Sequence, residues 1–556
     1  QRHEIPADPN RVAVLARRLG YVSGETFMAV YADRARETRA ILERFVAAEG
    51  AGHQWIGNLL DPRSDGANGR AHLERLGFKD PAKAREELLH LCNGPEERPF
   101  SQHVRRQFAA IAPRLIDALA RTPNPDVALL RLERVLSNLR APTAIYEILK
   151  WEPELAGHLV TLAANSDYLS EILVRDPGLF DLLGARGAAG ALVSRADLER
   201  QLESLSRAYD PAAAPYRLRD GELLRIGLRE LLDDVSVVTA GEELTGLAEV
   251  CIAYALEQAR SSVAERYGAA EGAFVILAMG KLGGREMTYG SDLDLVFVYD
   301  ARARLPDGVS RIEYYTALAS QTIRGLQEST RYGRLYEVDA RLRPDGNKGV
   351  LAIDGERIEQ YYRQEAQAWE RLALVKIRAV AGDPTFGRHV ERRARELAFA
   401  LPLDAENLAQ MEAIRSKLSA GASERDIKRA QGGLAEVEFA VRFLQLRHAE
   451  AYPELQRGDV AGALEVLARH HIAAQRDLDT LSKAYYLFRR IENRIRMMHG
   501  RSDSALPESP EACADLAMRL RLDPDLPGLV AEHKARVHEL YQRLQGSLLE
   551  NPRAGG

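Results

Sequence analysis

Apolar residues recur every three or four positions along most of this chain, and only short stretches break that rhythm by alternating or running continuously apolar. Between about residues 100 and 235 one helical pattern follows another, punctuated by Asn124-Pro125, Ala141-Pro142, Glu152-Pro153 and Asp176-Pro177. Proline biases the residue before it away from helix, so each pair marks a boundary. Leu129, Leu130, Leu132, Val135, Leu136 and Leu139 fall near helical spacing and predict one buried face. Residues 21 to about 90 read as helical pieces, such as 26–50, separated by the polar loop DPRSDGANGR. A long helix is predicted over 245–267. The period then changes: AFVILAM (273–279) and DLDLVFVY (292–299) read as strands, with the turn Gly280-Lys281-Leu282-Gly283-Gly284 after the first.

Residues 311–330 return to a helical period, and 333–344 alternate strictly, which predicts a further strand. Trp369-Glu370-Arg371 falls on a helix, after which Lys376 and Arg378 alternate with apolar residues. Beyond Pro384 the chain is helical throughout. Gly432-Gly433 precedes a helix with Val437, Ala440, Val441 and Leu444 inside; its first turns carry Glu436 and Glu438, where carboxylates suit the helix dipole. The helix 481–498 has Phe488, Ile491, Ile495 and Met498 inside, leaving Arg489, Arg490, Arg494 and Arg496 for a solvated outer face. The expected fold class is α+β, a mostly helical chain with one small sheet between helical domains. Its expected domains are 1–90, a helical tail plus linker; 91–240, helical; 241–390, holding the sheet; and 391–556, a helical bundle.

Composition narrows the partners. With 46% hydrophobic and 28% charged residues the chain can bury substantial cores, and its 6% aromatic content favours helices. A net charge of −5 gives no electrostatic footprint for nucleic acid, so a protein or a small molecule is the expected partner. Three cysteines, Cys92, Cys251 and Cys513, lie far apart without zinc-ligand spacing, which fits a reducing, cytoplasmic setting. No apolar run reaches membrane-span length and no secretory signal opens the chain, so no membrane partner is expected. Residues 6–19 (PADPNRVAVLARRL) and 507–520 (PESPEACADLAMRL) share seven of fourteen positions. Together with an opening Gln1, that match suggests a fragment beginning on the tail of one module and ending on the tail of a second.

The candidate chemistry sits where the period changes. Asp292 and Asp294 share one face of a strand, about 7 Å apart, and two such carboxylates repel unless a cation lies between them. A divalent metal suits them, because hard cations take oxygen ligands. The glycines allow backbone N–H groups close to a phosphate, and Lys281 adds a positive charge. If the strand 333–344 pairs beside this one, Asp339 supplies the third carboxylate that two metal ions about 3.5 to 4 Å apart need. Lys376 and Arg378 point one way and can neutralise a triphosphate. Taken singly, each feature reads as readily as a solvated strand end or an ordinary turn.

In combination, a Gly-rich element before an Asp-hydrophobic-Asp strand resembles the DNA polymerase β-like nucleotidyltransferases. The segments GKLGGREMTYGSDLDLVF, EVDARLRPDGNKG, EQYYRQEAQAWERLALVKIRAVAGD, GGLAEVEF and RIENRIRMMHGRSDSALPES occur in that order and resemble the glutamate-ammonia ligase (glutamine synthetase) adenylyltransferase family. The resemblance implies two modules in tandem, one removing AMP from glutamine synthetase and a C-terminal one attaching it, with this chain matching the latter. It implies Asp292, Asp294 and Asp339 as catalytic metal ligands for Mg2+ or Mn2+. It also places Lys281, Gly283, Gly284 and Ser291 near the triphosphate of ATP. The implied reaction moves AMP from ATP to a tyrosine hydroxyl of glutamine synthetase, with Asp339 as general base, and so regulates nitrogen assimilation. Implied partners are glutamine synthetase, the PII signal protein and glutamine as effector. The alternatives are phosphorolytic removal of AMP and a non-catalytic scaffold that senses nucleotide.

Overall fold

The computed structural model describes residues 5, 8–34, 54–184 and 192–550, with side chains described to 548. Residues 35–50 of the helical stretch expected at 26–50, and the first two residues of the repeated segment 6–19, lie outside the described residues. The chain forms two compact units, Gln1–Ala120 and Arg121–Gly556. The first unit is helical; Asp80 caps its helix Pro81–Asn93 by accepting from the Lys83 N–H. The second unit holds everything discussed below. No helix among the described residues is long and apolar enough to cross a membrane.

Three of the four X-Pro boundaries open helices, Pro125–Asn138, Pro142–Trp151 and Pro153–Asn165, and the fourth opens a 3-10 turn, Pro177–Leu183. Proline belongs in the first turn because the N–H it lacks has no partner there. Leu129, Leu132, Val135 and Leu136 are buried as a stripe, while Leu130 is partly exposed.

A long helix, α1 (Val237–Tyr267), leads into the sheet, starting eight residues earlier than its apolar rhythm suggests because Ser236 caps it through the Thr239 N–H. The central strands β1 (Phe274–Ala278) and β2 (Leu293–Tyr299) are antiparallel, with Phe274 opposite Tyr299. Two short strands pair in parallel with the free edge of β2: β3 (Val338–Asp339) at its start and β4 (Ala352–Asp354) at its end. The last strand, β5 (Arg378–Gly382), runs antiparallel on the other side of β1. Alternation sorts the two faces. Phe274, Phe297 and Tyr299 face α2 (Arg311–Gln327), where Tyr315 stacks 4.7 Å from Tyr299 and 5.6 Å from Phe274. Val275, Leu277, Val296 and Val298 build the opposite core with Leu374 and Val390.

The strand expected over 333–344 shrinks to two residues. Arg219 donates to the Arg334 and Leu335 carbonyls, and the Tyr336 N–H donates to Leu326 O, so these backbone groups are taken by helices rather than by a neighbouring strand. Beyond Asp339 the chain turns through Pro344 and Asp345, the latter with φ +59°.

The C-terminal bundle is centred on α3 (Leu434–His448) and α4 (Gln475–His499). Val437, Ala440, Val441 and Leu444 of α3 and Phe488, Ile491 and Ile495 of α4 are buried in one core. The solvated basic face expected on α4 is not there. Arg489, Arg494 and Arg496 are buried, at 3%, 6% and 3% exposure, because Glu286 and Glu438 meet Arg489, the Arg519 carbonyl meets Arg494, and Glu492 of the same helix meets Arg489 and Arg496.

Candidate active site

The site is assembled at the start of β2. Asp294 lies opposite Asp339 in the parallel register of β2 and β3, and the Leu293 N–H donates to Glu337 O at 2.8 Å. Asp292 precedes the strand on the Asp294 face, exposed, at the edge of a cavity of about 400 Å³ whose lining includes Tyr168, Thr288, Ser291, Asp292, Tyr336 and Arg501. Burial, and then the charges of Asp292 and Asp339, push the Asp294 carboxyl up to about 6, against the opposing pull of Lys428 and Lys376. Asp339 behaves differently. Its carboxylate accepts from Arg341 Nε at 2.9 Å on both oxygens and from the Arg341 N–H at 2.8 Å, and these bonds hold it below the usual carboxylate range.

Among the described residues no three His, Cys, Asp or Glu side chains stand close enough to hold a metal ion. The third carboxylate, Asp339, is paired with Arg341. The donors are nevertheless all oxygen, the type a hard divalent cation takes, and the repulsion felt at Asp294 is what such a cation relieves. The residues therefore fit a divalent ion once Arg341 releases Asp339.

The glycine-rich segment folds as one helical turn, Gly280–Gly283, rather than as an open turn. Gly280 has φ +53°, and a Cβ there would lie 2.0 Å from Asp294 Oδ2, so glycine is what lets this turn back onto the acidic strand. A Cβ on Gly283 would strike Lys376 O at 2.0 Å. Gly284 lies against Gly458 O and Glu286 Oε2, each 3.2 Å from its ideal Cβ. The observed contacts of these glycines are thus packing contacts with protein.

The cations predicted for a triphosphate do not converge on one point. Lys281 Nζ donates to Glu492 Oε1 at 2.7 Å and Thr288 Oγ1 at 3.2 Å. Burial, aided by the charges of Arg489, Arg496 and Lys428 and opposed by Glu492, holds its amine well below its ordinary value. Lys376 ends a 3-10 turn and donates to Glu286 Oε2 at 2.9 Å and Glu438 Oε2 at 3.0 Å. Arg378 opens β5 and instead meets Glu249 at 2.5 Å and the Leu282 carbonyl at 2.8 Å. Ser291 Oγ lies 2.7 Å from Thr288 Oγ1, and both hydroxyls face Arg496.

Behind the aspartates lies an ionic network that the sequence pattern did not reveal. Glu286 accepts from Lys376, from Arg489 at 3.1 Å, from the Val460 N–H at 2.8 Å and from Tyr485 at 3.0 Å. Glu438 takes Arg489 at 3.0 Å as well as Lys376, so the helix-dipole reading fails for it. Glu436, one turn position away, pairs with Arg415 and His538 inside the bundle. Glu492 is fully buried and meets Lys281, Arg489 and Arg496 at 2.7, 3.0 and 3.1 Å. One signal was present: Arg489, Glu492 and Arg496 recur at helical spacing directly beside the apolar Phe488, Ile491 and Ile495.

The model of the glutamate-ammonia ligase adenylyltransferase family matches residues 156–393, which include all three aspartates. A relative from Xanthobacter autotrophicus, called a bifunctional glutamine synthetase adenylyltransferase/adenylyl-removing enzyme, is 31% identical over 98% of this chain. This chain belongs to the glutamate-ammonia ligase adenylyltransferase family. Relatives of the same name from Bartonella quintana and Thioalkalivibrio sulfidiphilus are 30% and 34% identical, over 98% and 69% of this chain. The chain spans 57%, 57% and 42% of the Xanthobacter, Bartonella and Thioalkalivibrio proteins. Residues 405–545 match a second model, GlnD PII-uridylyltransferase. In this member of the adenylyltransferase family the aspartates therefore fall in one matched region, while Glu438, Arg489 and Glu492 fall in the other.

Proposed function

We propose that this chain is a metal-dependent nucleotidyltransferase that moves AMP from ATP to a tyrosine hydroxyl of glutamine synthetase and releases pyrophosphate. The observation that carries the reading is the pairing of Asp294 with Asp339 across β2 and β3, with Asp292 on the same face at a cavity. The relatives' name supports the choice of nucleotide and acceptor.

Asp292, Asp294 and Asp339 would hold Mg2+ or Mn2+, which when bound neutralises phosphate charge and lowers the pKa of the attacking hydroxyl. The protein's own part is positioning. Gly280 keeps the Asp294 carboxylate pressed against the glycine-rich turn. Arg341 governs Asp339: while it is bonded there the carboxylate is a weak proton acceptor, so a general-base role requires Arg341 to withdraw. The cavity beside Asp292 gives a planar ring room next to the acids.

The test is to incubate the chain with unmodified glutamine synthetase, ATP and Mg2+ and to weigh the product for AMP on a tyrosine. Labelling undiminished in the double variant Asp292→Asn, Asp294→Asn refutes the assignment. The relatives' name also covers adenylyl removal. That second reading requires ADP to form from adenylylated synthetase and phosphate without added ATP. The same reading takes the PII signal protein as a regulator, which the PII-uridylyltransferase match in the bundle supports, and glutamine as an effector.

A further inference from the structure

A second cavity, of about 280 Å³, adjoins the acidic strands and shares no lining residue with the one beside Asp292. Met279, Arg341, Leu342, Tyr361 and Trp369 are among the residues that line it. Two of these touch the acidic residues directly. Arg341 Nε donates to both Asp339 oxygens at 2.9 Å, and the Met279 N–H donates to the Asp294 carbonyl at 2.9 Å. Met279 also precedes Gly280, the glycine that lies against the Asp294 carboxylate.

The aromatic part of the lining is fixed by hydrogen bonds between two short helices, Gly355–Gln364 and Ala368–Ala373. Tyr361 OH donates to Glu370 Oε1 at 2.6 Å, and Trp369 Nε1 donates to Gln367 Oε1 at 2.8 Å. The second Glu370 oxygen accepts from the Gln367 N–H at 2.9 Å, and the Ala368 N–H donates to Gln410 Oε1 at 3.0 Å. The polar tips of Tyr361 and Trp369 are therefore already bonded within the protein, and what these side chains have left for an occupant is ring surface. Trp369 is held in this way yet stays partly exposed, so apolar ring surface faces water until something flat covers it.

Size and position indicate the occupant. Small-molecule pockets run from about 300 to 1,000 Å³, so this cavity holds one ring system with little to spare and no folded segment of protein. With the acceptor ring in the cavity beside Asp292, the other reactant that must reach the same carboxylates is the nucleotide, and its flat part is the base. Bases stack on aromatic side chains whatever the pattern of their edges. Arg341, exposed on the same lining, puts a cation next to an occupant that carries phosphates.

We propose that this cavity takes the adenine base of ATP and that Trp369 is the side chain on which the base stacks, a role that rests on the AMP-transfer reading above. The base stays with the α-phosphate when pyrophosphate leaves, so the same contact serves ATP and AMP alike and contributes nothing to pyrophosphate. Trp369 thus positions the nucleoside while the carboxylates deal with the phosphates.

The test measures calorimetric binding of Mg-ATP, AMP and Mg-pyrophosphate to the unaltered chain, Trp369→Ala and Trp369→Phe. The Ala variant is expected to bind ATP and AMP about 5- to 100-fold more weakly, the loss that removing one base–aromatic stack produces, while pyrophosphate affinity stays within about twofold. Trp369→Phe keeps most of the ATP affinity, because a smaller ring still offers a face. ATP binding unchanged in the Ala variant, or pyrophosphate weakened as much as ATP, overturns the assignment and leaves the AMP-transfer reading standing. An unaltered chain that binds no ATP overturns both. Photolabelling of the unaltered chain with 2-azido-ATP, competed by ATP and mapped by peptide mass, needs no variant to fold. Label on residues 361–373 is expected, and label confined to the segments around Asp292 overturns the assignment.

Discussion

Replacing Arg489 by Met separates two readings of the same helix by a measurable amount. If the arginine lay on a solvated face, as the period of α4 alone suggests, removing it would change stability by less than about 0.5 kcal/mol. The structure instead places it at 3% exposure, over the Tyr485 ring and bonded to Glu286, Glu438 and Glu492 at 3.0 to 3.1 Å. Each such contact has a gross attraction of roughly 5 kcal/mol at an effective dielectric of 20, most of it offset by desolvation. Methionine fills similar space, so the loss comes mainly from carboxylates left buried with too few cations. Removing one partner of such a group costs about 3–5 kcal/mol. The pH dependence has a definite sign. For Glu286 and Glu438, burial alone would raise the carboxyl, but Lys376 and Arg489 outweigh it and hold both below their ordinary range. A depressed carboxyl contributes stability above its unfolded value of about 4.3 and loses it as pH falls towards the folded value. Much of that contribution is missing in the variant, so the difference is largest near pH 7 and shrinks below about pH 4. Urea denaturation followed by circular dichroism at both pH values measures it. A loss under about 1 kcal/mol at pH 7, or the same loss at both, refutes the network argument.

Other perturbations follow from the acidic strand. Asp294→Asn is expected to abolish AMP transfer while raising the unfolding free energy of metal-free protein at pH 7.5. The rise is at most about 3 kcal/mol, because the carboxyl is pushed from about 4 when unfolded to about 6. The unaltered chain should gain stability as pH falls through that interval and the Asn variant should not; a flat unaltered profile contradicts the crowding at Asp294. Gly280→Ala puts a methyl against the Asp294 carboxylate on a backbone with positive φ, and is expected to cost about 1–3 kcal/mol together with activity, checked by thermal melting and AMP incorporation. Arg341→Ala releases Asp339 from an exposed ion pair, so Mn2+ binding measured by paramagnetic resonance should tighten a few-fold, and unchanged or weaker binding contradicts it.

The fold was legible where local chemistry decides it. The X-Pro boundaries, the helix 311–330 and the strands at 273–279 and 292–299 all appear within a few residues of their predicted ends, because side-chain period and proline geometry act within one element. The alternating segment 333–344 keeps only two strand residues for the opposite reason. Its alternation is real, yet its backbone bonds were claimed by Arg219, some 115 residues away in sequence. The aspartates could be found because Asp-Leu-Asp on a strand puts two like charges on one side whatever surrounds them. Lys376 and Arg378 could not be placed, since a 3-10 turn between Leu374 and Lys376 breaks the alternation that would have aimed them together.

The network's composition also bears on how the site is built. An apolar contact between the sheet and the bundle would hold at least as tightly, because buried ion pairs recover little more than their desolvation cost. What ion pairs add is direction, since each bond tolerates only a narrow range of distance and angle. Here the bonded groups come from the glycine-rich turn through Lys281, from the following loop through Glu286, from the approach to β5 through Lys376, and from α3 and α4. A shift of the bundle by half a helical turn would break all of these at once, whereas Leu and Val contacts could slide and repack. The buried charges therefore fix where the bundle stands against the sheet.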